Sequence, residues 1–425
     1  MKTSGKTRTT GLTRRDMLKL SGLALGGLAV SGNASKAFAA TSETPREATV
    51  SLETPPAPGQ MRISFCGTWY TPRPNQACNS IFVELGNANN DSFVFDCGSG
   101  VVSRYVALGV PFSRMDKIFL THLHGDHMSD LITIYCFGPS GDRKSPLQVW
   151  GPSADKKDEG TKFFCEKLVE LCKWHSESFS FLPTGYKKGG DGYDVKAKEL
   201  PYMKNPGAAY DKDGVKISHF PAIHARDGAI SYKLEWNGRS MVFTGDTKPN
   251  KYVLEHAKGV DILIHEMTTP ASVWTTKQTG LTDHETDPAK QQQYQTVLAM
   301  NEEVIENSHT LQGALGYILS QTHPRWGVAT HFPDDPDLVA PAVTAIQCSY
   351  PTGKFVIAKD LTVITIDANG SIHQATAGVP DYPWFTGAPY TGPLAPPKYD
   401  GPLAQFNDKL LANVIPEGDY DTCNI

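Results

Sequence analysis

The sequence predicts a mixed α/β domain, richest in strands at its start, on three observations. From Met61 onward, short apolar runs alternate with Gly, Asn and Asp turns. Two later runs, Lys117-Ile118-Phe119-Leu120 and Val260-Asp261-Ile262-Leu263-Ile264, read as buried strands. Helical periodicity appears around Gly160–Lys173 and again from Thr310 to Thr322. In chain order, Ile81-Phe82-Val83-Glu84-Leu85 and Phe93-Val94-Phe95 are expected to pair across the turn Gly-Asn-Ala-Asn-Asn-Asp. Residues 183–215, rich in Gly, Lys, Asp and Tyr, read as a long surface excursion. Beyond about residue 375 the chain turns rich in Pro, Tyr and Gly, which predicts an extended tail over 376–425 wrapping the domain.

The N-terminus predicts export. Thr13-Arg14-Arg15-Asp16-Met17-Leu18-Lys19 sets a twin arginine before an apolar segment, Leu20 to Val30, too short and too rich in Gly and Ala to span a bilayer. Ala37-Phe38-Ala39 has the small-x-small cleavage pattern, so residues 1–39 read as a Tat signal peptide and 40–60 as a linker. A periplasmic or secreted protein without stable membrane anchoring follows. The first 39 residues carry seven Lys/Arg and one Asp, so their removal takes the net charge from −5 to −11. An acidic chain is a poor partner for phosphate backbones, and no nucleic acid is expected. Eight cysteines without a CxxC unit argue against a cysteine zinc site. Cys66 and Cys78 are placed to pair, and Cys165 and Cys172 to share a helix face.

Chemistry concentrates in Thr121-His122-Leu123-His124-Gly125-Asp126-His127, directly after a buried strand. Four ligand-type side chains in six residues at a strand's end point to metal. His122 and His124 alternate, so both can point the same way, while Asp126 and His127 can turn to a second centre.

This HxHxDH pattern resembles the metallo-β-lactamase superfamily, and within it the branch of tRNase Z and arylsulfatase-type hydrolases. Phe95-Asp96-Cys97-Gly98, Thr244-Gly245-Asp246-Thr247 and His265-Glu266-Met267-Thr268 resemble that branch's further motifs. Phe65-Cys66-Gly67-Thr68-Trp69-Tyr70 resembles a bacterial group labelled guanitoxin-biosynthesis metallohydrolases. The resemblance implies an αββα sandwich of two mixed β-sheets flanked by helices, over residues 61–375. It also implies two metal ions, Zn²⁺ by donor chemistry with Mn²⁺ or Fe as substitutes. One would be held by His122, His124 and His224, the other by Asp126, His127 and His331, with Asp246 bridging. His219 is the alternative to His224 and reads better as packing. His265 and Glu266 read as supports that orient ligands.

A metal pair of this kind acidifies a bridging water, which Asp126 and Asp246 would orient as well as ligate. The implied activity is hydrolysis of a small-molecule ester, a sulfate ester or phosphodiester. A lactone or amide hydrolase is the alternative, and a non-catalytic metal-binding protein the third reading. His309 is the candidate proton donor for a leaving alcohol, against a plain capping or packing role. Trp69 and Tyr70 stand as candidate pocket walls or core. Against tRNA as substrate stand the leader, the acidic chain, and Asp334-Asp335 where tRNA enzymes carry an arginine. His175, His256, His284, His323 and His373 have no ligand-like setting. Oligomeric state is left open.

Overall fold

A computed structural model describes residues 48–179, 185–186, 190–380 and 412. The expected leader and most of the expected tail lie outside the described residues. Among the described residues, no helix is long and apolar enough to cross a membrane.

The strands run β1 (Thr49–Val50), β2 (Met61–Gly67), β3 (Ser80–Leu85), β4 (Ser92–Phe95), β5 (Lys117–Phe119), β6 (Leu147–Pro152), β7 (Gly185–Tyr186), β8 (Gly190–Asp191), β9 (Val195–Leu200), β10 (Gly207–Lys212), β11 (Val215–Pro221), β12 (Ile230–Trp236), β13 (Arg239–Phe243), β14 (Ile262–Glu266), β15 (Trp326–Thr330), β16 (Phe355–Ile357), β17 (Thr362–Ile366) and β18 (Ile372–Ala377). They form one mixed sheet in the order β1-β18-β17-β2-β3-β4-β5-β6-β9, a second in the order β10-β11-β12-β13-β14-β15-β16, and a separate pair, β7-β8. The sheets face each other across one core, in which Ile63, Phe95 and Phe119 of the first meet Tyr232, Phe243 and Ile264 of the second. A separate apolar layer joins the outer face of the first sheet to helices Val101–Ala107, Leu131–Ser140 and Thr161–Leu171. A third joins the second sheet to helices Lys251–His256, Gln312–Thr322 and Pro336–Ser349. The architecture is therefore the αββα sandwich. Strands buried on both faces read as continuous apolar runs, which is why β5 and β14 were visible in the sequence.

Two expected boundaries move. The linker belongs to the domain from residue 48 onward: β1 pairs in parallel with β18, Leu52 is buried, and the Arg62 guanidinium donates to the Ser51 and Thr54 carbonyls. The excursion at 183–215 is largely sheet. Within it, β9 closes one edge of the first sheet and β10 one edge of the second. Val195-Lys196-Ala197-Lys198-Glu199-Leu200 alternates in exposure, with charged residues on an edge strand as edges commonly carry, and the Lys198 ammonium donates to the Ala209 carbonyl. That charge pattern imitates a solvated loop.

The described cysteines are free thiols. Cys66 and Cys78 are buried apart in their bonding: the Cys78 thiol donates to the Tyr70 carbonyl, and that of Cys66 is hydrogen-bonded to Tyr105. Cys172 makes its thiol contact with Cys136 rather than Cys165.

Candidate metal centre

The loop after β5 is fixed before any ligand is considered. Asp96, at the end of β4, has φ 58°, a left-handed conformation that Asp tolerates better than most residues. Its Oδ1 accepts the Thr121 amide at 2.7 Å and its Oδ2 the Thr121 hydroxyl at 2.8 Å. Two glycines permit the close approach. A Cβ on Gly98 would stand 1.9 Å from the Asp126 carbonyl oxygen, and one on Gly245 2.5 Å from the Thr121 Cβ. Gly245 also has φ +57°. These approaches bring Asp246 against the metal loop.

Two donor clusters result. In the first, the Nδ1 of His124 lies 3.1 Å from the Nε2 of His122 and 3.1 Å from the Nε2 of His224. A tetrahedral site with bonds of about 2.0–2.1 Å separates its ligand nitrogens by about 3.3 Å. Burial, followed by repulsion from His127 and then from His224 and His124, pushes His122 well below the ordinary histidine range. Burial and the neighbouring His224 push His124 down too, and burial does the same to His224. Neutral imidazoles with lone pairs turned to one point are what a cation requires.

The second cluster is Asp126, His127, Asp246 and His331. His127 Nε2 lies 3.2 Å from Asp126 Oδ2 and 3.2 Å from Asp246 Oδ1, and His331 Nε2 lies 3.2 Å from Asp126 Oδ2 and 3.4 Å from Asp246 Oδ2. Asp246 Oδ2 is also 3.9 Å from His122 and 3.8 Å from His224, so this carboxylate stands between the clusters. His127 Nε2 and Asp246 Oδ1 are buried 3.2 Å apart without a well-aligned hydrogen bond. Buried polar atoms turned to one point with so little hydrogen bonding fit a bound cation. Burial pushes the His127 imidazole down, but Asp246, Asp126 and Asp96 outweigh it and raise it well above the usual range. Metal entry must therefore displace a proton there.

The ring orientations are set from outside the clusters. His127 Nδ1 donates to Asp96 Oδ2 at 2.7 Å, leaving Nε2 as the donor atom. The Thr121 hydroxyl, spent on Asp96, accepts from His122 Nδ1 at 3.0 Å. His224 Nδ1 donates to the Ser308 carbonyl at 2.9 Å. His331 follows β15 with φ 57°, held by the Phe332 amide on the Thr68 carbonyl at 2.9 Å.

His309 is brought to the same place. Its Nδ1 lies 3.0 Å from Glu266 Oε1 and 3.9 Å from Asp246 Oδ2. It precedes the helix Gln312–Thr322 rather than starting it. Burial lowers this imidazole, but the Glu266 carboxylate prevails and raises it to about 9. Glu266 thus supports His309 instead of a ligand, and His265 is buried with its Nδ1 against the Glu266 carbonyl at 2.8 Å. His219 is packing: its Nε2 lies 3.0 Å from the Pro201 carbonyl and its ring lies against Gly207. His175 and His256 are satisfied locally, by the Cys136 carbonyl and the Asn205 side chain.

Sequence reasoning missed three parts. Asp96 was noticed only as part of a motif, although an Asp closing a strand before Cys-Gly was its available signal. Trp274 lies on helix Ala271–Thr279 with no local mark of function. Arg73 donates to Asp334 at 2.7 Å and to Asp335 at 3.1 Å, a pairing no local pattern announces.

The Beta-lactamase superfamily domain matches residues 92–332, which contain every ligand-type residue of both clusters. Ribonuclease Z of Brevibacillus brevis is 32% identical over 202 residues, 41% of this chain and 63% of that protein, so less than two thirds of its length is spanned. Ribonuclease Z of Mycobacterium marinum is 31% identical over 213 residues, 48% of this chain and 70% of that protein. Among solved structures, the metallo-beta-lactamase fold protein YhfI from Bacillus subtilis matches at TM-score 0.50 and 17% identity, covering 74% of this chain and 100% of its own.

These relatives overturn the expectation of no nucleic acid, since they are ribonucleases. One physical ground for it also fails. Asp334 and Asp335 are not bare carboxylates facing a polyanion: Arg73 pairs with both, Asn75 donates to Asp334, and Lys277 lies 3.8 Å from Asp335. Net charge taken over a whole chain says little about one neutralised patch. By fold, by the matched domain and by a His/Asp constellation able to hold metal, the chain belongs to the beta-lactamase superfamily, as a metal-dependent hydrolase.

Proposed function

We propose that this chain is an exported phosphodiesterase working with two divalent metal ions, Zn²⁺ by donor chemistry. The observation that carries the reading is the Glu266–His309 pair, 3.0 Å apart, whose histidine lines the pocket also lined by Asp126, Asp246 and His331. A proton donor is needed where the leaving group is an alcohol, and less where a carbonyl centre is attacked. The ribonuclease names of the relatives favour phosphorus over sulfur as the reacting centre, and put RNA among the diesters to be tried. The twin-arginine leader supports export.

Metal ions held at the two clusters would neutralise charge at phosphorus and make a water acidic enough to attack. The chain's own residues do the rest. Asp96 and Ser308 fix the ring faces of His127 and His224. Asp126 and Asp246 accept protons from an attacking water and align it. Glu266 keeps His309 protonated through its Nδ1, leaving the other ring nitrogen to give a proton to the departing oxygen.

The test uses the chain from Ala40 onward loaded with Zn²⁺ or Mn²⁺. Rates are measured on bis(4-nitrophenyl) phosphate, 4-nitrophenyl sulfate and a short RNA with a 3′ extension, with Asp246→Ala as control. Cleavage of a diester by the wild type and not the variant supports the reading. Faster cleavage of the sulfate would move the activity to sulfate esters, and no turnover with two metals bound would remove it.

A further inference from the structure

Two unlike cavities open on the metal centre. On the side of His122, His124 and His224 the walls include Ser153, Glu159, Arg226 and Asp227, a polar and charged lining. On the side of Asp126 and His331 the walls are aromatic and apolar, and no Lys or Arg among the described residues lines them. There the ring centroids of Trp69 and Trp274 are 5.5 Å apart, and those of Tyr70 and Trp274 6.2 Å apart with the planes at 76°. Tyr70 in turn stands 6.1 Å from His331, so the aromatic wall begins at the ligands. Met300 and Val304 extend it outward while remaining 65% and 59% exposed.

The wall is anchored. Asn301 donates to Thr275 Oγ1 and to Gln278 Oε1, each at 2.9 Å, which ties helix Pro288–Asn301 to the helix carrying Trp274. The Asp360 carboxylate holds both ends of the Trp69-Tyr70 segment, accepting the Thr68 hydroxyl at 2.9 Å and the Ala77 amide at 2.7 Å. Rigid aromatic faces placed this way stack on planar groups at small entropic cost.

His309 lines the aromatic cavity and is absent from the lining of the charged one. We infer that the aromatic cavity receives the alcohol arm that departs, and that this arm carries a planar aromatic group, an aryl ring or a nucleobase. The inference rests on the phosphodiesterase reading. The donor's cavity must hold the oxygen that takes its proton. The P–O bond to the aromatic arm breaks as a water oxygen bonds to phosphorus. His309 gives its proton to the departing oxygen, and a proton from the water restores it. The other arm stays on phosphate in the charged cavity.

Benzyl methyl phosphate tests the assignment, because its two alcohols are of nearly equal acidity and chemistry alone does not choose between them. The metal-loaded chain is expected to release benzyl alcohol over methanol by about tenfold or more, the size of an aromatic stacking contribution. Trp274→Ala brings the ratio towards one at unchanged metal content, and Trp274→Phe keeps most of it. Methanol in excess, or a ratio untouched by both Trp274→Ala and Tyr70→Ala, overturns the assignment. If neither alcohol is released, the phosphodiesterase reading falls, and calorimetry still decides on the cavity. Phenylphosphonate should then bind about tenfold more tightly than methylphosphonate, with the preference lost in Trp274→Ala; equal affinities overturn the cavity. Adenosine 5′-monophosphate against ribose 5-phosphate in the same titration tells a nucleobase from an aryl ring.

Discussion

The Nδ1 of His127 lies 2.7 Å from the Oδ2 of Asp96, and both side chains are fully buried. The same carboxylate binds the Thr121 hydroxyl, which accepts from His122, so one residue outside the clusters orients a candidate ligand in each. A ligating imidazole whose far nitrogen is held by a carboxylate keeps its tautomer and gains basicity. Asp96→Asn is the informative change, because Asn also tolerates the left-handed backbone that Asp96 adopts at φ 58°. The variant is expected to fold and to lose about 10–100-fold in metal affinity, read by competition with a chelator. Wild-type affinity in a folded variant would show that Asp96 does not set the ligand.

Glu266 is expected to control the protonation of His309. Burial alone pushes that imidazole down, and the carboxylate raises it to about 9. A folded-state value above the unfolded one of 6.5 means the pair stabilises fully below pH 6.5 and is lost as pH rises through about 9. Glu266→Gln removes the charge, and the proton is then lost at lower pH. In the metal-free protein, an NMR titration of His309 should show its midpoint moving down in the variant. With metal, cleavage of alkyl diesters should fall by about 10²–10⁴ while 4-nitrophenyl esters, which need no proton, lose far less. Equal losses on both ester types would place His309 in binding or packing.

The strands were legible where burial on both faces made continuous apolar runs, as at Phe93–Phe95 before the metal loop. They were illegible at β9 and β10, where edge strands carry the charge that keeps edges from pairing. Ligand-type residues were legible because His122, His124, Asp126 and His127 sit within six positions of one another. What orients them was not, because Asp96 reaches Thr121 across 25 positions and His127 across 31. The same blindness supplied one ground of the mistaken exclusion of nucleic acid. Asp334 and Asp335 look repulsive as neighbours, while their counter-charge, Arg73, comes from 261 and 262 positions away.

Asp360 makes the aromatic wall pH-sensitive. Burial raises its carboxyl from 3.8 to about 6, against the opposing pull of Ala77, Thr68 and Arg104. The folded chain therefore holds that proton more tightly than the unfolded one, and stability falls as pH rises from about 4 to about 6. At about 1.36 kcal/mol per unit the full effect is of order 3 kcal/mol. Asp360→Asn should remove this component, so urea midpoints at pH 4.5 and 7.5 should differ less in the variant, other titrations being shared. A difference identical to that of the wild type would mean that the carboxyl titrates at its ordinary value.

Asp246 is expected to make the two metal sites depend on each other. Its Oδ1 faces His127 at 3.2 Å, and its Oδ2 lies 3.4 Å from His331, 3.8 Å from His224 and 3.9 Å from His122. With metal present, the buried negative charge of Asp246 and Asp126 would be opposed by divalent cations; after chelation protonated His127 opposes it in part. Ligand binding at 100 times Kd adds about 2.7 kcal/mol per site, so chelation should lower the wild-type melting temperature by several degrees. Asp246→Ala should bind fewer than two metals per chain by elemental analysis, and its melting temperature should respond little to chelator. A wild type indifferent to chelation, or a variant that keeps two metals, would sink the assignment of Asp246 as the shared ligand.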